Sequence, residues 1–229
     1  MLFDLRARGR RRTIQVIYLF LAVLMGGGLI FFGIGGNTSG GLFDAFKSNG
    51  GSSSSDSALT KKVETIQRRV QANRADAAAW AALTRAQYQV AGLGENYDQN
   101  TGTFTTKGKV ALRKVERSWD EYMKLDPPKP NPDLASLMVQ AFSPTGLNRP
   151  AKAVTAQEIV IDARPASTGL YSTLAILAYG AGQTRKGDLA AAKAVELAPK
   201  DQRSTVQAQL KQAKQSAVAS SAQQSQSSG

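Results

Sequence analysis

Side-chain chemistry needs nucleophiles, proton carriers or metal ligands, and this chain of 229 residues contains no cysteine and no histidine. That composition excludes cysteine nucleophiles, Ser-His-Asp triads, thiolate or imidazole metal sites and a lipidated N-terminal cysteine. Carboxylates remain. Asp120 and Glu121 stand among Arg113, Lys114 and Arg117 at i, i+3 and i+4 helical distances, which predicts solvated ion pairs on an exposed face rather than an acid/base couple. Glu95, Asp98 and Asn100 suggest a calcium loop, but the glycine falls one position early for an EF-hand and the distal glutamate is missing. No set of titratable groups converges, so the expectation is no enzyme, no cofactor and no metal.

The residues that do recur at fixed spacing are apolar and aromatic. Counted from Trp80, Leu134 and Tyr171, positions one, five and eight later share one helix face. They are Ala81, Arg85 and Tyr88; Ala135, Val139 and Phe142; Ser172, Ile176 and Tyr179. An aromatic residue occupies the eighth place each time. Two readings follow. The aromatics pack between neighbouring helices as core, or they anchor an extended or helical peptide in a shallow apolar groove. The groove candidates are Arg85, Tyr88, Val139, Phe142, Ile176 and Tyr179.

The elements that must carry these positions are helices. From residue 57 onward the pattern is helical almost throughout, beginning with Leu59, Val63, Ile66 and Val70 on one face of a first amphipathic helix. LDP at Pro127, ARP at Pro165 and LAP at Pro199 each close a helical stretch, at separations of 38 and 34 residues. ADAAAWAALTRAQY, with Trp80 and Leu83, opens the first of three helix pairs. Ala153 and Gly187, each twelve residues before its proline, supply small residues where two helices touch. Gly182 is expected to end a helix.

This pattern resembles the tetratricopeptide repeat (TPR) family, whose period is about 34 residues, over roughly residues 75–199. The first unit departs from it: Val115, Trp119 and Tyr122 are bulky where smaller residues are usual, and Gln87 replaces an aromatic. The resemblance implies an all-α solenoid whose inner face is lined by the first helix of each pair, with protein or peptide as the ligand. A plain helical bundle is the rival architecture. VQANRADAAAWAAL is similar to the helix junction in TPR domains that hold unfolded apocytochrome, or in TPR subunits near the protein-export channel. Clamping a terminal carboxylate, another TPR use, needs several basic positions on this face, where only Arg85 stands.

Residues 92–109, GLGENYDQNTGTFTTKGK, read as a loop inserted into the first pair, with a short hairpin around Asn100, Thr101 and Gly102. After Pro199, Val206, Leu210, Ala213 and Ala217 define one face of a capping helix.

Ahead of this domain, Arg6, Arg8, Arg10, Arg11 and Arg12 precede an uncharged stretch at residues 14–34. At about 1.5 Å per residue this stretch matches a hydrocarbon core of about 30 Å. The arginines predict a cytoplasmic N-terminus and an extracytoplasmic C-terminal domain, in a single-pass protein of a bacterial plasma membrane. The organisation expected is a basic segment 1–13, a transmembrane helix 14–35, a Gly/Ser-rich linker 36–57, a helical domain 58–220 and a disordered tail 221–229. Within the linker, residues 47–56 read as flexible coil.

Residues 1–60 carry six Lys/Arg and three Asp/Glu, so of the formal charge of +12, +3 lies there and +9 beyond. Two functions fit: an envelope scaffold or assembly factor binding protein or peptide partners, or a basic surface binding anionic cell-wall polymer or lipid. An extracytoplasmic domain argues against nucleic acid.

Overall fold

A computed structural model describes residues 52–227, with side chains over 57–220. The helical unit starts at Ser54. Eight α-helices run through the described residues: α1 (Ser52–Ala72), α2 (Ala77–Ala91), α3 (Thr106–Lys124), α4 (Pro132–Phe142), α5 (Pro150–Ala163), α6 (Thr168–Gly180), α7 (Thr184–Leu197) and α8 (Arg203–Ser227). None of the described helices is long and apolar enough to cross a membrane. The expected span at residues 14–34 lies outside the described residues.

Local chemistry sets the boundaries. Asp76 caps α2 by accepting from the Ala79 amide at 2.8 Å, and Asn131 caps α4 by accepting from Leu134 at 2.8 Å, with Pro132 at the first helical position. Pro127, Pro165 and Pro199 each stand two or three residues beyond a helix end, where a ring without an N–H breaks no helical bond. Gly182 takes a left-handed φ of 72° just past α6, and the Gln183 amide returns to the Ala178 carbonyl at 2.8 Å. The expected stop at Gly182 is where the chain turns.

Consecutive helices form three hairpins. Helix α2 packs on α3, α4 on α5 and α6 on α7; α5 meets α6, α2 meets α4, and α8 lies against both α6 and α7. Leu112, Val115, Trp119, Tyr122, Leu134, Met138, Phe142 and Val160 build the larger core across the first two hairpins. Val154, Leu174, Tyr179 and Leu210 build a second across the last two and α8, whose Val206, Ala213 and Ala217 close it as the spacing predicts. Val63, Ile66 and Val70 of α1 pack with Ala79, Trp80 and Leu83 of α2.

Three boundaries differ from expectation. Helix α1 begins at Ser52, inside the stretch read as linker coil, and α8 continues to Ser227, into the stretch expected as a disordered tail. Extending a helix costs much less than nucleating one, so weak helix formers next to a packed segment join it. The inserted loop ends at Thr105, not at residue 109: the Thr105 hydroxyl accepts from the Gly108 amide at 3.2 Å and starts α3 there.

Candidate functional site

The three first helices of the hairpins, α2, α4 and α6, carry the six groove candidates, and burial divides them. Phe142 is fully buried and Tyr179 is 7% exposed, so these two rings are core and line no surface. Their burial comes from the helices packed against them. A Cβ on Gly187 of α7 would lie 2.4 Å from the Tyr179 ring, so the ring occupies the space that glycine leaves. Phe142 sits in the larger core that spans the first two hairpins.

Position five behaves differently. Arg85 and Val139 are partly exposed and Ile176 is 51% exposed, so this position stays accessible in all three hairpins. Position one is small in each: Ala81 and Ser172 are half-buried and Ala135 is buried. Tyr88 is half-buried and donates its hydroxyl to Gln140 Oε1 at 3.0 Å, tying α2 to α4 beside Val139. Burial, with the Tyr97 phenol nearby, pushes the Tyr88 pKa up to about 12, so it remains a donor at neutral pH. Burial and the Asp188 carboxylate do the same to Tyr179, also to about 12.

The inserted loop brings further aromatics that the face count misses. A 3-10 turn (Gly94–Asn96) leads into β1 (Tyr97–Asp98), which pairs antiparallel with β2 (Thr103–Phe104), placing Tyr97 opposite Phe104. The expected hairpin is present. Its turn is held by Asp98, whose side chain accepts from Asn100 at 2.9 Å and whose carbonyl accepts from Gly102 at 2.8 Å. The Asn100 amide bond, with further bonds from Thr101, holds the Asp98 carboxyl below its usual range. Among the described residues no group of three or more Asp or Glu gathers as a metal site would require. Phe104 meets Tyr97 edge-on at 5.2 Å and Tyr88 at 6.3 Å. This half-exposed aromatic trio borders the Tyr88–Gln140 junction. The pattern Y-D-Q-N-T-G-T-F carries the signal, an aromatic at each end of a turn motif.

Two of the three α3 carboxylates pair otherwise than local spacing predicts. Asp120 bonds Lys152 of α5 at 2.8 Å, Glu116 takes Lys152 at 2.9 Å and Arg149 at 3.7 Å, and Glu121 pairs with Lys124. Arg113, Lys114 and Arg117 are therefore not the partners of the α3 carboxylates. Tertiary neighbours outcompete i, i+4 spacing because Lys152 faces two carboxylates at once, one of them largely shielded from water.

No family model, curated protein or solved structure matches this chain.

Proposed function

We propose that this protein is a membrane-anchored, extracytoplasmic, TPR-like scaffold that binds a protein or peptide partner along the first helices of its three hairpins. It is read as a non-enzymatic assembly or chaperone-like factor of the bacterial envelope, and as a short α-solenoid. The anchor rests on the arginine-flanked apolar stretch at residues 14–34, and the TPR-like reading on the 34-residue spacing of Pro165 and Pro199. The observation that carries the binding surface is the continued accessibility of position five: Arg85, Val139 and Ile176.

The surface is narrower than six residues. We assign Arg85, Tyr88, Val139 and Ile176 to it, with Phe104 against Tyr88, and leave out the buried Phe142 and Tyr179. Exposed apolar side chains flanked by a cation suit a partner segment with apolar anchors and acidic neighbours. Photo-crosslinking groups placed at Arg85, Val139 and Ile176 in intact membranes should capture the same partner. A group at Leu189, which is 67% exposed on α7, should not. Equal capture at Leu189, or no common partner at the three positions, would sink the reading.

A further inference from the structure

We propose that the outward face of α3 is a docking surface for anionic lipid, which orients the helical domain against the bilayer that the N-terminal segment is read to cross. The proposal rests on that membrane reading for its geometry.

Helix α3 separates its residues by angle. Gly108, Leu112, Val115, Trp119 and Tyr122 point into the core. On the opposite side Val110, Arg113, Lys114 and Arg117 fall at i, i+3, i+4 and i+7, all exposed, within an arc of roughly 100° at 3.6 residues per turn. The carboxylates that would neutralise this stripe are engaged elsewhere: Glu116 and Asp120 with Lys152, Glu121 with Lys124. Among the described residues, Arg113, Lys114 and Arg117 have no ion pair. Three uncompensated cations on one helix face are costly to keep adjacent, and an anionic surface relieves that repulsion.

Val110 decides between anionic occupants. It is 47% exposed at the head of the stripe, one of four large hydrophobic side chains among the described residues that are this open to water. A soluble anionic polymer offers it nothing, whereas a bilayer interface accepts an apolar side chain among headgroups while long basic side chains reach the phosphates. The chain supplies the proximity. Only 19 residues separate Ile34 from Ser54, the start of the helical unit, so even fully extended they span no more than about 70 Å. Each cation near an anionic surface changes docking by roughly 5-fold, and three together by about 100-fold.

Because the chain has no cysteine, Val110→Cys creates a unique attachment point for an environment-sensitive fluorophore. The full chain carrying it is reconstituted into vesicles of phosphatidylcholine alone or mixed with phosphatidylglycerol. The label should shift to the blue only with phosphatidylglycerol. The shift should vanish near 0.5 M salt, where the screening length is about 4 Å, and in the variant Arg113→Gln, Lys114→Gln, Arg117→Gln at unchanged melting temperature. A label at Leu189→Cys should not respond. A label at residue 110 that reads water in both vesicles, or a shift that survives the triple variant, overturns the proposal. So does a shift produced in neutral vesicles by a soluble anionic wall polymer but not by phosphatidylglycerol. Flotation with neutral vesicles tests the anchor separately: a chain that floats only with phosphatidylglycerol, and in a salt-sensitive way, supports the stripe and sinks the anchor.

Discussion

The first and third hairpins join two helices by different means. In the first, α3 presents Leu112, Val115, Trp119 and Tyr122 to the core, with the Trp119 and Tyr122 rings 5.5 Å apart. At this seam Gln87 accepts from the buried Ser118 hydroxyl at 2.7 Å. In the third, the buried residues of α7 are Gly187, Ala190 and Ala194, and the Tyr179 ring of α6 drops onto Gly187. One seam is filled from its second helix, the other from its first. Both bury their rings, so what hairpin closure needs is a volume matched across the seam, with no fixed residue on either side.

Truncating the large ring tests this contrast most strongly. Trp119→Ala should cost about 3–5 kcal/mol in chemical denaturation, whereas Ala194→Gly on the corresponding helix of the third hairpin should cost about 1 kcal/mol. Equal losses would mean that the two seams share the load alike.

Glycine tests the close approaches. A Cβ at Gly108 would lie 1.9 Å from the Asn96 carbonyl oxygen, a backbone atom held in place by the Thr105 amide at 2.9 Å. Gly108→Ala should therefore cost about 2–3 kcal/mol and detach the inserted loop, visible as lost near-ultraviolet dichroism from Tyr97. Gly187→Ala meets a side-chain ring that can yield, and it gains helix propensity, so its net loss should be about 1–2 kcal/mol. A larger effect at residue 187 than at residue 108 would reverse the order of rigidity.

The polar pair comes next. Ser118→Ala leaves Gln87 Oε1 without its donor and should cost about 1 kcal/mol, with Gln87→Leu in the same chain recovering part of it. Full additivity of the two changes would show that they do not interact.

The smallest effect expected concerns the closure of the third hairpin by α8. Lys214 donates to both Asp188 oxygens at 2.8 Å and the Tyr179 hydroxyl donates to Asp188 at 3.0 Å, and together they hold that carboxyl below its ordinary value of 3.8. A lowered folded-state pKa contributes stability above the unfolded value, and that contribution is lost as pH falls through the folded one. The melting-temperature difference between the protein and Asp188→Asn should be constant from neutral pH down to about pH 5 and close below 3.8. A difference that persists at pH 2 would assign the latch to shape rather than charge.

Helix positions were legible because their signals are local. Prolines at 127, 165 and 199, the glycine at 182 and the apolar face of α8 each act within a few residues, and the chain obeys them. The candidate face was legible only in part. Angular counting put Arg85, Val139 and Ile176 on one side of their helices, where all three keep access to water. The same counting grouped Phe142 and Tyr179 with them, because periodicity reports which residues share a face and says nothing of what lies opposite. The space left by Gly187 made Tyr179 core, and packing across the first two hairpins did the same for Phe142. Ion-pair partners were illegible for the same reason: Lys152 stands 32 residues from Asp120, and only packing brings them together.

The sequence by itself determined that the described region is helical, where four of its helices stop, which faces are apolar, and that cysteine and histidine chemistry are absent, since composition and short-range sterics suffice for each. Which aromatics are buried, which cations are left uncompensated on α3, and how the loop aromatics come to border α2 were decided only by tertiary structure. Those outcomes depend on the volumes and charges of residues distant in the chain, which meet only once the hairpins have packed.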